Sequence, residues 1–441
     1  MKMMIEKAAS FLYNQIPKIV SIERRHYMNR RNIVLKRTSV KNVVVIGVDV
    51  GKFWHFTCAF LPSGEFTKPF KFFNNAYGFA EFIGFITRLK STLQRDVIVG
   101  IESTGHYWEN LAYFLDGKGV KLVQVNPAHT KKSKELLDNT PNKADPKDSI
   151  VIADLVAQGK FLSLILPKGD YAELRMLTKA RARVVKELTS LANAINYIID
   201  MVFPELTQIF PDVTSKTVLY LLSNYPRPSD LLTISLEELT KQLRKVSRGQ
   251  ARKEKIEQLY KAASNSVGIT QGNEQVALIL EPYLSKVQAL TSYELKLEKV
   301  ITGIVARLPE TKYLLSMKGI GVITVATMLG ETGDLRLYNN AWEVIKLAGL
   351  NLYRLSSGKY QGQVKITKRG RPLLRWIFFF AALRQARCGM PLYNFYWRLR
   401  NNGVHKMKAL IAVARKLLCI MFALVRDRRE YVLEGSTSLA A

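Results

Sequence analysis

The order of apolar segments predicts three regions of different class along 441 residues. Residues 42–165 read as an α/β domain, because three strand-like runs precede the first helix and further strands then alternate with helices. Residues 168–308 read as a coiled-coil arm, because two stretches repeat apolar residues at steps of three, four and seven. Residues 311–430 read as a mainly α domain opened by a helix-hairpin-helix, because a glycine turn joins two apolar helical segments. A basic N-terminal extension (1–41) and a tail (431–441) flank these regions.

Val43 to Val50 is a continuous apolar run apart from Gly47 and Asp49, the pattern of a buried strand. Phe53–Leu61 and Phe66–Phe73 follow as strands around a Ser63-Gly64 turn. Phe79, Phe82, Ile83 and Ile86 give Asn75–Leu89 a helical period. Asp96–Ile101 is strand-like, Trp108–Leu115 helical, and Val120–Val125 a fifth strand. Asn126-Pro127 starts another helix, and a last one runs from about Pro146 to Gln158. A three-strand meander extended by parallel strands is an RNase H-like α/β arrangement. Tyr171–Val202 then forms one long amphipathic helix. A second seam runs from Tyr283 to Leu308 and is closed by Pro309. The polar stretch between them, with its basic run Lys241–Lys255, reads as a small helical insertion at the tip. Beyond Thr311 come the Gly319-Ile320-Gly321 hairpin, a turn-rich stretch from Gly349 to Gly370, and helices from Leu373 and from about Val404. The apolar run Trp376–Phe380 is expected to be core.

Composition narrows the function. The formal net charge is +30, and it is unevenly spread. Residues 1–41 hold 10 Lys and Arg against 2 acids, and residues 352–429 hold 18 against Asp427 alone. Charge gathered in two segments points to a polyanion, because Lys and Arg that neutralise phosphates release condensed counterions. The longest apolar runs are too short to span a bilayer, and no secretory signal is expected. Cys58, Cys388 and Cys419 lie far apart with no CxxC, which fits a reducing, cytoplasmic setting rather than a disulfide frame or zinc site.

The informative acids interrupt apolar strands. Alternation points Asp49 to the face opposite Val48 and Val50, where an unpaired carboxylate is costly. Glu102 follows the DVIVGI strand. Asp145 and Asp148 stand at i, i+3 around the start of the last helix, so both can face one side. Singly, Asp145 fits an N-cap and Asp148 fits an acid complementing the helix dipole. Together the four can converge, and an all-oxygen donor set selects Mg²⁺, with Mn²⁺ as an alternative. Near the C-terminal end, Ser356 and Ser357 lie among Arg354, Lys359, Lys365, Lys368, Arg369, Arg371 and Arg375, cations able to hold a phosphate. Lys318, Gly319 and Gly321 of the hairpin, and Lys52 after the first strand, are further candidate nucleic-acid contacts.

Here the sequence resembles a family. GVDVGK (47–52), ESTGHYWENL (102–111), VNPAHTKK (125–132) and NKADPKDSIVIADL (142–155) are similar to the DEDD-type, RuvC-like domain of transposases of the insertion-sequence 110 family. LLSMKGIGVITVATMLGETGDLRLYNNAWEVIKLAGL (314–350) and SSGKYQGQVKITKRGRPLLRWIFFFAALRQAR (356–387) resemble its C-terminal transposase domain. The resemblance implies a DNA transposase, located in a prokaryotic cytoplasm at the nucleoid, that excises and integrates an insertion sequence. It implies Asp49, Glu102, Asp145 and Asp148 as the metal-binding tetrad. Ser357 is implied as a nucleophile forming a covalent phosphoserine link to DNA, with Ser356 as the rival. It further implies double-stranded DNA partners, a structured noncoding bridge RNA, and a homodimer or homotetramer with no membrane partner. Two other readings stay open at this point: a RuvC-like metal-dependent junction nuclease, and a non-catalytic nucleic-acid-binding protein.

Overall fold

The computed structural model describes residues 33–103, 105–138, 145–357 and 360–432. Lys359 lies outside them, as do most of the basic extension and the tail; of Asp145 and Ser356 only the backbone is described. The chain divides into two compact units, Met1–Leu166 and Pro167–Ala441.

The first unit is a six-stranded sheet in the order β3-β2-β1-β4-β5-β6. Its strands are β1 (Val44–Val50), β2 (Trp54–Phe60), β3 (Phe70–Phe73), β4 (Val97–Glu102), β5 (Lys121–Val125) and β6 (Leu162–Ser163). β1–β2 and β2–β3 are antiparallel, while β1–β4 and β4–β5 are parallel, which is the meander-plus-parallel order expected from sequence. β3 is shorter than expected. Phe66 makes only an isolated bridge to Phe60, because Pro69 lacks the N–H that a continuous ladder needs.

Helices α1 (Ala76–Leu93), α2 (Tyr107–Gly117), α3 (Pro127–Asp138) and α4 (Asp145–Ala157) accompany the sheet, and residues 33–39 are helical as well. Strand alternation splits the core in two. Val44, Ile46 and Val48 pack on one face with Phe82 of α1 and Leu111 of α2. Val45 packs on the other with Val151, Ile152 and Val156 of α4. Both faces are covered, so a one-residue slip would exchange the two sets of side chains and put a bulky residue where Gly47 meets α4.

The second unit is helical apart from two short ribbons. α5 (Asp170–Val202) and α11 (Val276–Arg307) run antiparallel. Arg307 bonds Asp170 at one end, and Arg181 reaches Glu294 and Glu298 further along. Between them lie α6 (Glu205–Ile209), α7 (Lys216–Asn224), α8 (Pro228–Leu231), α9 (Leu236–Val246) and α10 (Lys253–Ser264). These form their own core with Ile195, Val202, Leu280 and Val287 of the two long helices. α11 begins about two turns before the predicted seam and contains Pro282. Pro282 lies on an exposed side, so the carbonyl one turn back is open to water.

The base of the long pair joins a second core with α12 (Thr311–Leu315), α13 (Val322–Thr332), α14 (Ala341–Leu347), α15 (Pro372–Gln385), α16 (Tyr393–Asn401) and α17 (Lys406–Arg426). The Trp376–Phe380 run needs a correction. α15 buries Ile377 and Phe378 but leaves Trp376 and Phe380 exposed, because a surface helix cannot turn five consecutive residues to one side. Among the described residues no helix is long and apolar enough to cross a membrane.

Candidate catalytic site

Two glycines decide how closely α4 lies on the sheet. Gly47 of β1 and Gly100 of β4 are register partners. A Cβ on Gly47 would strike the Ser149 carbonyl and come within 2.5 Å of the Ala153 amide; one on Gly100 would come within 2.5 Å of Val156 Cγ2. Only glycine at these positions lets the backbone of α4 settle against the strands. Asp49 and Glu102 follow two residues later on their strands, so both project from the face that α4 covers. The pairing of Val48 with Ile101 makes Asp49 and Glu102 neighbours across two parallel strands, about 4.8 Å apart at the backbone. Both are half-buried at the C-terminal ends of their strands.

α4 runs from its N-terminus near these carboxylates toward Val156 beneath Gly100. Asp145 is its first residue and Asp148 lies in its first turn. Asp148 is 4% exposed. One of its oxygens, Oδ2, accepts a bond from Lys134 Nζ of α3, while Oδ1 is buried with no hydrogen-bond partner among the described residues. A buried carboxylate oxygen left unsatisfied is costly and marks a place where a cation or donor belongs. Among the described residues no three His, Cys, Asp or Glu side chains already stand close enough to hold an ion. Sequence reasoning passed over Lys134; its signal was the Lys131-Lys132-Ser133-Lys134 cluster in the helix after β5. On the opposite face, Gln124 of β5 donates to the Ser103 hydroxyl and ties down the end of β4.

In the second unit, Ser356 and Ser357 form β8 (Ser356–Ser357), paired antiparallel with β9 (Tyr360–Gln361). Ser357 faces Tyr360 across this ribbon and is exposed. The ribbon rises from a second pair, β7 (Leu352–Tyr353) with β10 (Lys365–Ile366).

The cations predicted around the serine fall into two groups. Lys365, Lys368 and Arg369 are exposed. Arg371 bonds the Glu331 carbonyl and lies 3.5 Å from its carboxylate. Arg375 donates to the carbonyls of Ala348 and Lys368 at 3.0 and 3.2 Å. These two arginines fasten the base of the loop, with Gly349 and Gly370 at positive φ letting its two ends close together. Arg354 is exposed beside the ribbon.

The Gly319-Ile320-Gly321 turn lies between α12 and α13. Gly319 has φ +88°, the left-handed region glycine favours, and the Lys318 carbonyl accepts from Gln385 Nε2 at 2.7 Å. Gly321 precedes α13 without a side-chain cap, which leaves that helix N-terminus with amide donors facing outward beside the exposed Lys318. Lys52 is exposed, its ammonium 4.9 Å from the Phe53 ring centre.

Comparison with known proteins fits both halves. Residues 46–204 match a DEDD transposase model of IS110, described as Transposase. Residues 311–397 match one described as Transposase IS116/IS110/IS902 family. The first span holds all four acids and the second holds both serines, while 205–310 lies outside both. The chain is 24% identical to the insertion element IS116 44.8 kDa protein of Streptomyces clavuligerus, over 87% of this chain and 95% of that protein. It is 26% identical to the insertion element IS900 42 kDa protein of Mycobacterium paratuberculosis, over 89% and 98%. It is 22% identical to the transposase for insertion sequence element IS1111A of Coxiella burnetii, over 90% and 93%. Two domain matches in order, together with relatives aligned along nearly their whole length, place the chain in the IS110 family of transposases.

Proposed function

We propose that the protein is a DNA recombinase that excises and integrates its own insertion sequence, with an RNase H-like, RuvC-like first unit and a helix-hairpin-helix at Lys318, Gly319 and Gly321. The observation that carries this reading is the buried Asp148 carboxylate, half-satisfied among the described residues, at the N-terminus of α4, the helix lying on the sheet face that carries the neighbouring Asp49 and Glu102. Asp49, Glu102, Asp148 and Asp145 would hold Mg²⁺ or Mn²⁺, since carboxylate oxygens suit these ions. A bound divalent ion supplies Lewis acidity and charge neutralisation at the phosphodiester. The chain's own residues do the rest. The glycine cradle fixes the acids relative to one another, and Lys134 brings a cation to the same carboxylate.

Ser357 is the nucleophile in this reading. Its Oγ bonds to phosphorus as the bond from phosphorus to one bridging deoxyribose oxygen breaks, and that oxygen leaves with a proton. The resulting phosphoserine link conserves the phosphodiester energy until a hydroxyl of the partner strand displaces the serine. A serine hydroxyl is weak alone, so Lys365, Lys368 and Arg369 are assigned to stabilise the developing negative charge. Element-encoded noncoding RNA as the guide, and a dimer or tetramer as the working assembly, belong to the same proposal. Their support is the family likeness and a C-terminal region with 18 basic residues against one acid.

The test is a suicide DNA duplex that loses a short fragment on cleavage, incubated with the full chain, Mg²⁺ and the element's RNA. A covalent protein–DNA adduct that Ser357→Ala abolishes and Ser356→Ala retains supports the reading. Cleavage with no adduct would transfer the chemistry to water and make the protein a junction nuclease.

A further inference from the structure

Three aromatic rings stand exposed beside the carboxylates: Phe53 at 64%, Trp54 at 43% and Phe73 at 52%. Exposing one such ring is ordinary, but three adjoining ones are not. The register shows how they are arranged. Asp49 pairs with Phe56, and Phe56 pairs with Lys71. Glu102, Asp49, Phe56 and Lys71 therefore form one row across four strands, on one face of the sheet. Trp54 and Phe73 pair directly with each other and are the next row on that face. At ordinary strand spacing Trp54 lies ~8 Å and Phe73 ~12 Å from Asp49, backbone to backbone.

The rings are interleaved with cations. Lys71 Nζ lies 5.6 Å from the Trp54 ring centre and Lys52 Nζ 4.9 Å from that of Phe53. Among the described residues neither lysine pairs with a carboxylate. Phe53 is held beside Trp54, ring centres 6.2 Å apart, and its carbonyl accepts from the Asn74 amide at 2.8 Å. Trp54 and Phe73 therefore sit on strand backbone, and Phe53 on the bend that enters β2 is tied to Asn74 just past β3. Exposed rings alternating with unpaired ammonium groups match a single strand of nucleic acid, whose bases stack while its phosphates meet the cations.

We infer that Phe53, Trp54 and Phe73, with Lys52 and Lys71, form a stacking platform for unpaired DNA bases next to the phosphodiester handled by the carboxylate site. The choice of DNA rests on the proposed function, because the platform continues the face carrying Asp49. The platform would hold separated bases while strands are exchanged, and it would act without reading their identity, since every base presents a π-face.

The test uses the full chain in Ca²⁺, so that it reads binding and not cleavage. The probes are a fluorescein-labelled 12-nucleotide dT strand, an abasic strand of equal length, and a 12-nucleotide U ribonucleotide. The Phe53→Ala/Trp54→Ala/Phe73→Ala variant is expected to bind dT at least tenfold more weakly, the loss of about one stacked base. Its abasic binding should stay within twofold, because the cations remain. Trp54→Phe should keep dT affinity within threefold. A 5-bromodeoxyuridine strand should photo-cross-link to peptides covering 52–54 or 71–74 in the wild type. Equal losses on dT and abasic strands, or no loss on dT, would overturn the platform. A loss confined to the ribonucleotide would overturn the assignment to DNA. A change of oligomeric state with dT affinity intact would instead make the patch a protein interface. None of these readings depends on the fate of Asp49, so this inference and the proposed cleavage chemistry can fail separately.

Discussion

Adding a single methyl group to β1 should move the candidate catalytic helix. In Gly47→Ala the new Cβ would lie 2.5 Å from the Ala153 amide and still closer to the Ser149 carbonyl. Ordinary contact begins at 3.4 Å, so α4 must retreat by roughly 1 Å or tilt, because its backbone, not a flexible side-chain tip, is what is struck. Overpacking of this kind costs about 1–3 kcal/mol, offset by up to ~1 kcal/mol through the stiffer unfolded chain. A net loss near 1–2 kcal/mol should lower the unfolding midpoint of the first unit by roughly 2–8 °C. The functional loss should be larger, since a misplacement of ~1 Å among reacting groups costs about a hundredfold in rate. Gly84→Ala is the control. Gly84 lies within α1 with open space around its Cβ, so it should gain about 0.5–1 kcal/mol and leave cleavage unchanged. Thermal unfolding and Mg²⁺-dependent cleavage of labelled DNA measure both. A Gly47→Ala protein with unchanged midpoint and rate, or an equally damaged Gly84→Ala, would refute the cradle argument.

Further outcomes follow from burial and pairing. Burial pushes His55 down to about 4, against a smaller raising contribution from Asn74. The unfolded chain therefore takes up a proton that the folded one refuses, and stability should fall by up to about 3 kcal/mol as pH drops from 6.5 to 4. Urea midpoints across that window should show the slope, and His55→Gln should flatten it. Burial also pushes Cys58 up to about 11, opposed by a hydrogen bond with Ser149, and raises Cys419. Iodoacetamide at pH 8 should therefore label the exposed Cys388 at least tenfold faster than either, as peptide mass spectrometry would show. Arg181 bonds Glu298 and Glu294 at 2.8 and 2.7 Å across the long helix pair. Arg181→Met should cost about 1–3 kcal/mol, because it leaves two carboxylates facing each other, and denaturant unfolding measures it.

Much of this architecture was legible because strand and helix periods are short-range signals. Alternation along VVVIGVDV placed Asp49 on the face opposite Val48, and Val45 and Gly47 do share that face with α4. The steps from Leu174 to Val202 gave α5 nearly to the residue. β6 escaped because two residues have no period, and the 349–370 stretch, read as turns, hides two ribbons for the same reason. The side-by-side placing of Asp49 and Glu102 also had a local signature that composition could not reveal. Gly47-Val48-Asp49 and Gly100-Ile101-Glu102 repeat glycine two residues before the acid, so each strand carries both the seat for α4 and a carboxylate. The Lys134–Asp148 pair was not legible, since it depends on how α3 packs against α4. Nor was the division among the arginines: Arg371 and Arg375 look like phosphate contacts until the carbonyls of Glu331 and Ala348 are seen to accept from them.

The central claim is that carboxylates on β1, β4 and α4 work as one divalent-ion site on DNA. Asp49→Asn tests it most directly, because it preserves shape and removes one charge from the row shared with Glu102. With a labelled suicide duplex, Mg²⁺ and the element's RNA, the wild type should form its DNA adduct, and Asp49→Asn should bind the duplex within threefold yet form the adduct at least a hundredfold more slowly. An Asp49→Asn protein that forms the adduct at the wild-type rate would contradict the account.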